Sequence, residues 1–265
     1  MLQIYKILVG ILFFYLGAAM GSFYNVVVDR LPNDQSIVNS RSECTTCHAK
    51  LKWYDLVPIF SFIVLKGKCR YCHTKLSFQY LWSEIITGCL FLLAFLLWGC
   101  HLEYAKMFLF MTFWSMLFVV GLMDFKYQII IDQVLIVSVV IGLIFMFVCG
   151  FDFKDILLGA LTGFLFYGAI YFITKLILKK EGFGFGDVLF MTAIGCFLGP
   201  LQTFLTGILA FYCCLIFIII FKIKEKRVGI QTEIPFAPSM CVAAFIVSLY
   251  GEPMIDFCLR ILGFI

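Results

Sequence analysis

Apolar residues along the chain fall into long runs separated by short polar clusters, and eight of these runs approach the length of a membrane-crossing helix. About 20 apolar residues are needed, because about 30 Å of hydrocarbon is crossed at about 1.5 Å per residue. The runs lie at roughly 7–28, 78–98, 107–123, 129–149, 156–177, 188–199, 201–221 and 236–250. The sixth is short and stops at Gly199-Pro200, which predicts a shallow or tilted helix, or a kinked hairpin with the seventh. Between the first and second runs, segment 29–77 has ordinary soluble composition. The pattern predicts an all-α, polytopic integral-membrane helical bundle with a small loop domain on one side. Its parts are a first transmembrane helix at 1–28, the loop domain at 29–77 and a membrane helical domain at 78–265.

Composition agrees with that pattern. Of 265 residues, 63% are apolar and 14% charged, against about 45–50% and about 25% in soluble globular chains. The net charge of +4 is too small to imply a polyanionic partner, so nucleic-acid binding falls away with the soluble-enzyme and disordered classes. Alternating the runs leaves Lys6, Lys106, Lys154 and Arg260 on one side, while the other side collects the rest of the 20 basic residues. By the positive-inside rule that second side, which carries segment 29–77, is cytoplasmic. The first run has neither a basic cluster before it nor a small-residue cleavage site after it, and reads as a retained helix.

Segment 29–77 contains Cys44-Thr-Thr-Cys47, then twenty-one residues, then Cys69-Arg-Tyr-Cys72. Two such pairs match a four-thiolate zinc site, in which each pair grips one edge of a tetrahedron. Disulfides compete with this reading, but the charge split puts the loop in a reducing compartment. His48 and His73 directly follow the second cysteine of each pair and read as solvated knuckle residues. The other eight cysteines, Cys89, Cys149, Cys213 and Cys214 among them, are expected to behave as small buried hydrophobes.

Carboxylates close to hydrocarbon are costly, and four lie near the cytoplasmic ends of runs: Glu84, Asp124, Asp132 and Asp187. Asp124 closes the third run, and Asp187 ends Glu181-Gly-Phe-Gly-Phe-Gly-Asp187 just before the sixth. Two aspartates meeting at one depth suit an aspartyl protease: one, ionised, draws a proton from water, and its protonated neighbour polarises the scissile carbonyl. Gly182, Gly184 and Gly186 would let backbone approach a substrate closely. The structural alternatives are that Asp187 caps a helix starting at 188 and that Asp124 is a solvated turn residue.

These features together resemble the type IV prepilin leader peptidases, integral-membrane aspartyl proteases with a G-x-G-D signature. Gly21-Ser-Phe-Tyr-Asn25-Val-Val-Val-Asp-Arg30-Leu-Pro32 is similar to the family's amino-terminal motif. The double CxxC with Trp53-Tyr54-Asp55-Leu-Val-Pro58 between its halves resembles the zinc loop of bacterial members. Asp124 and Gly184-Phe-Gly186-Asp187 match the two catalytic aspartates, and Pro235-Phe-Ala-Pro238 resembles a late P-F-x-P segment. The chain departs from the family at Ile130-Ile131-Asp132 and at Tyr80-Leu81-Trp82-Ser83-Glu84, each time replacing a proline and sparing the carboxylate.

The resemblance implies an enzyme of the bacterial inner membrane, with its catalytic aspartates at the cytoplasmic face. It implies cleavage of prepilins or pseudopilins after a glycine, between a basic leader and a hydrophobic helix. Methylation of the new amino terminus from S-adenosylmethionine follows in members with the cysteine loop, and Glu84, Asn25 and Arg30 are candidates for that second site. A peptidase without methyl transfer is one alternative. A zinc-stabilised transporter is another, although the span interiors lack Lys, Arg and His.

Overall fold

Inside hydrocarbon each backbone N–H and C=O has to be satisfied within its own segment, and this chain meets the requirement with helices. The computed structural model describes residues 2–37, 42–44, 46–178, 184–224 and 235–261. Among these are nine α-helices and no strand: α1 (Leu2–Arg30), α2 (Phe60–Val64), α3 (Phe78–Leu97), α4 (Tyr104–Tyr127), α5 (Asp132–Val148), α6 (Phe153–Leu178), α7 (Phe185–Leu198), α8 (Pro200–Lys224) and α9 (Ala237–Ile261). Each of the eight expected apolar runs is one of these helices. Six of them, α1, α3, α4, α6, α8 and α9, are long and apolar enough to cross a membrane. At 17 and 14 residues, α5 and α7 span about 26 and about 21 Å, short of a full hydrocarbon core.

Several boundaries differ from the sequence expectation: α1 starts at Leu2 and not at 7, and α4 continues to Tyr127 and not only to 123, so Asp124 lies within a helix and not in a turn. Helix α7 starts at Phe185 with Gly184 as its cap residue, so Asp187 lies inside the first turn and is not the cap. Helix α5 starts at Asp132, not at 129, leaving Ile129–Ile131 outside either helix, with Ile131 extended. Helix α9 runs through Pro253 to Ile261, beyond the expected end of the run at 250. A proline inside a helix removes one ladder bond without ending the apolar spacing, which here continues through Met254 and Phe257. The expected loops at 178–187 and 222–235 fall largely outside the described residues, including Glu181 and Gly182.

The chain divides into two compact units, Met1–Met111 and Thr112–Ile265. In the first, α1 and α3 run antiparallel along a seam of small residues. A Cβ on Gly17 would lie 2.5 Å from the Thr87 carbonyl, and one on Gly21 would collide with the Thr87 hydroxyl. Gly88 answers from α3, with Phe14 2.9 Å from where its Cβ would be. Phe13 stacks on Phe95 at 5.1 Å further along the same seam.

The second unit repeats the device. On α6, a Cβ at Gly159 would strike the Gly195 carbonyl of α7, one at Gly163 would strike the Met191 carbonyl, and Gly195 is blocked in turn by Gly159. Lipid tails are as apolar as Leu, so close backbone approach, not burial, is what joins such helices. Gly199, at φ +76, turns the chain from α7 directly into α8 at Pro200. Of the eight cysteines outside the loop, expected to be buried, Cys89 and Cys258 are exposed and the others half-buried.

The seam makes a two-sided prediction. Gly195→Ala should destabilise the protein by about 1–3 kcal/mol, the usual cost of overpacking. Gly168→Ala, on the same α6 but with no atom nearer than 3.9 Å to its added Cβ, should be neutral or stabilising by up to about 1 kcal/mol, since alanine is the better helix former. Equilibrium unfolding in mixed micelles reads both, and the reverse order would contradict the seam.

Candidate active site

Asp124 sits in the last turn of α4, 7% exposed. Helix α9 begins at Ala237 with N–H groups that have no partner inside the helix, and Asp124 Oδ2 accepts one of them, the Ala237 N–H, at 3.0 Å. The positive end of that helix favours a carboxylate there. Asp187 reaches the same region from the first turn of α7, where its own N–H donates to the Gly184 carbonyl at 3.2 Å. The charge of Asp124 acts on Asp187, so the two carboxylates are electrostatic neighbours although they come from different helices.

The glycines before Asp187 keep its surroundings open. A Cβ on Gly184 would lie 3.2 Å from Asp187 Oδ2, and one on Gly186 would lie 3.2 Å from Ile130 Cβ. Tyr167, fully buried on α6, feels the Asp187 charge, and its hydroxyl donates to the Gly207 carbonyl at 3.3 Å. Phe236, immediately before α9, packs on Tyr167 at 6.1 Å and on Phe211 at 5.4 Å. The Pro235-Phe-Ala-Pro238 segment therefore supplies both a wall and a backbone donor to the carboxylate pair. Tyr167 and the Ala237 N–H were not singled out from the sequence: an apolar helix carries many tyrosines, and a backbone donor leaves no mark in residue type. Asp132, by contrast, is exposed at the start of α5.

In the first unit, Asn25 is buried and its Nδ2 donates to the Gly21 carbonyl at 3.1 Å and to the Ser83 hydroxyl. Ser83 neighbours Glu84, whose Oε2 accepts the Ile59 N–H at 2.6 Å. The structure thus brings Asn25 and Glu84 to one polar stretch of the α1–α3 seam. Arg30 ends α1 five residues beyond Asn25, and its guanidinium donates to the Ser36 carbonyl at 3.3 Å. Asn25 Oδ1 is buried without a hydrogen-bond partner among the described residues.

The four loop cysteines converge. Their Sγ atoms all lie within 4.8 Å of one another, with Cys44 and Cys72 3.8 Å apart, and a tetrahedron with bonds of about 2.3 Å has edges of about 3.8 Å. This cluster could hold a metal ion. Each pair sits in the same hairpin. Cys44 N–H donates to Ala49 and His48 N–H to Cys44, at 3.0 and 2.9 Å, and Cys69 N–H donates to Thr74 and His73 N–H to Cys69, at 2.9 and 3.0 Å. His48 and His73 occupy the matching left-handed positions, φ +54 and +56, and their side chains stay out in solvent, as expected. Hydrogen bonds from Thr74 hold the Cys72 thiol below its ordinary range, which favours the thiolate that a metal requires.

Asp55 locks the second hairpin. Its carboxylate accepts Arg70 Nε at 2.6 Å, the Tyr71 hydroxyl at 3.2 Å and the Lys52 N–H at 3.1 Å. Arg70 and Tyr71 are the two residues between Cys69 and Cys72, so one carboxylate fixes that knuckle. Burial alone would push the Asp55 carboxyl up, but the Arg70 and Lys52 hydrogen bonds outweigh it and hold the group below its usual range.

A helical unit carrying two electrostatically coupled carboxylates, and a separate unit with a four-cysteine loop, in a chain with six helices able to span a membrane, define a polytopic membrane protein. The bacterial peptidase A24 N-terminal domain matches residues 15–98, and the type IV leader peptidase family matches residues 109–219. A relative in Bacillus subtilis (strain 168), named prepilin leader peptidase/N-methyltransferase, is 31% identical over 251 residues, 93% of this chain and 96% of that protein. Its namesake in Pseudomonas putida is 27% identical over 276 residues, 94% and 93% of the two chains. Another in Myxococcus xanthus (strain DK1622) is 32% identical over 192 residues, 72% of this chain but 56% of that longer protein. No solved structure matches. The chain belongs to the type IV leader peptidase family.

Asp55→Ala should loosen the second knuckle. Solvent screens the pair with Arg70, whose side chain is 42% exposed against 2% for Asp55, so the loss should stay local to that knuckle. Amide exchange over residues 69–74 should accordingly rise roughly fivefold, with residues 44–49 unchanged, as read by hydrogen–deuterium exchange.

Proposed function

We infer that Asp124 and Asp187 are the proteolytic pair of a membrane endopeptidase that removes the leader of type IV prepilins or pseudopilins after a glycine. The observation that carries this is the electrostatic coupling of the two carboxylates, one held by the start of α9 and the other in the first turn of α7, in a chain of this family. The enzyme is a prepilin leader peptidase that also N-methylates its product. The basic residues concentrated in 29–77 and the later loops of that side support a cytoplasmic site in the inner membrane. A basic leader is retained on that face by the same rule.

In the cleavage step the ionised aspartate takes a proton from water as its oxygen attacks the scissile carbonyl carbon, and the protonated partner hydrogen-bonds the carbonyl oxygen. Collapse of the tetrahedral species breaks the C–N bond and passes a proton to the departing amine, the new amino terminus. The proton belongs to the pair, not to a named residue. The Ala237 N–H keeps one Asp124 oxygen fixed, leaving the other for the chemistry. Gly184 leaves room for a substrate backbone beside the pair.

Cys44, Cys47, Cys69 and Cys72 fit a structural zinc by ligand type and Sγ spacing, and they would hold it. S-adenosylmethionine supplies an electrophilic methyl on a sulfonium. The orphaned Asn25 Oδ1 is a buried acceptor suited to a donor group of such a molecule, with Glu84 beside it and Arg30 at the end of the same helix. What the chain must add is a deprotonated amine in line with that methyl.

Asp124→Asn and Asp187→Asn should each lower cleavage of a coexpressed prepilin at least about 10³-fold while leaving membrane insertion unchanged, as expected when one member of an acid–base pair is lost. Intact mass of the pilin reads cleavage and methylation separately, and wild-type cleavage by either variant removes that residue from the pair. The purified, reduced protein should contain about one zinc per chain. Chelation should unfold segment 42–76 before the membrane helices, as metal analysis with limited proteolysis will show.

A further inference from the structure

Helix α2 wears its apolar side outward. Phe60, Ile63 and Val64, spaced as one face of a helix, are 64, 62 and 60% exposed. Phe62 on the opposite face packs against Phe78 at 5.6 Å and closes over Gly67. A loop standing in water would not leave three large apolar side chains bare in one stripe. The element's depth explains them. Ile59, the residue from which α2 starts, is in the left-handed region at φ +63, a costly conformation for a β-branched residue. Its N–H is anchored at 2.6 Å on Glu84.

Glu84 lies six residues into α3, about 9 Å along the axis from Phe78. The apolar span containing α3 runs 24 residues, Phe78–His101, or about 36 Å against about 30 Å of hydrocarbon. Even with the whole excess of about 6 Å at the Phe78 end, Glu84 and the Ile59 amide held to it sit at or inside the hydrocarbon boundary. Lys66 and Lys68, both exposed, follow α2 directly, where long cationic side chains reach back to headgroup phosphates.

We propose that α2 is an interfacial element: Phe60, Ile63 and Val64 insert into the acyl–headgroup boundary of the bilayer, and the Ile59–Glu84 bond sets the depth at which the cysteine loop rides. A five-residue helix cannot span, so it lies in the interface plane. This gives Glu84 a positioning role that is independent of any part in methyl transfer.

Full-length protein carrying p-benzoylphenylalanine in place of Phe60, Ile63 or Ser61 should be reconstituted in vesicles of phosphatidylethanolamine and phosphatidylglycerol, irradiated and weighed intact. Phospholipid-mass adducts at positions 60 and 63, several-fold above the yield at 61, are expected. Absence of phospholipid adducts at 60 and 63, or yields equal to that at 61, would overturn the proposal. So would adducts to an added prepilin that replace the lipid ones, since the face would then be a substrate dock. A variant with a lowered unfolding midpoint is exchanged for one at Val64, the third residue of the stripe.

Discussion

What the second unit depends on is the contact of α6 with α7 at Gly159, Gly163 and Gly195, where the two backbones touch with no side chain between them. In lipid there is little solvent penalty to drive two apolar helices together, so affinity has to come from dispersion at close range. Small residues at three turns supply that proximity. Because α7 is only 14 residues long, fixing its middle also fixes its first turn, and with it Asp187. The other carboxylate is fixed by a different interaction, the Ala237 N–H on Asp124. The placement of the two carboxylates is thus the product of one steric and one polar constraint acting on separate helices.

Unit 1 combines the same physics with another. Its α1–α3 seam is again glycine against backbone, but the loop above it has few buried apolar residues and relies on polar specification. Two identical hairpin turns, a buried aspartate between them and four thiols in tetrahedral reach replace a hydrophobic core. A domain of that size needs such staples, since its apolar burial alone leaves little net stability.

Much of this was readable from residue order. Charge interruptions marked the eight apolar runs because charged groups are costly in hydrocarbon. Asp124 and Asp187 stood out for the same reason, and the two CxxC pairs announce themselves by spacing. What escaped had no residue-type signature. The Ala237 amide looks like any other in sequence, and the start of α7 slid to Phe185 because Gly184 adopts the cap conformation and Phe185 and Gly186 join the first turn. The small-residue seams Gly17-x-x-x-Gly21 and Gly159-x-x-x-Gly163 were present in the sequence. Their meaning appears with the partner helix, which periodicity cannot name. Asp55 was visible within a family-like segment, yet its grip on Arg70 and Tyr71 is a tertiary fact.

The duplicated knuckle has a kinetic meaning. Closing either Cys-x-x-Cys turn orders very few residues, whereas uniting the two halves also closes the 21-residue interval between them, about 2 kcal/mol more expensive in loop entropy. Capture of a metal ion by this cluster would therefore divide into a cheap two-point grip and a costlier four-point closure. With Asp55 already holding the residues inside the second turn, Cys69 and Cys72 form the prepared claw. A metal ion would meet a fixed pair there, and the Cys44–Cys47 arm would complete the cluster.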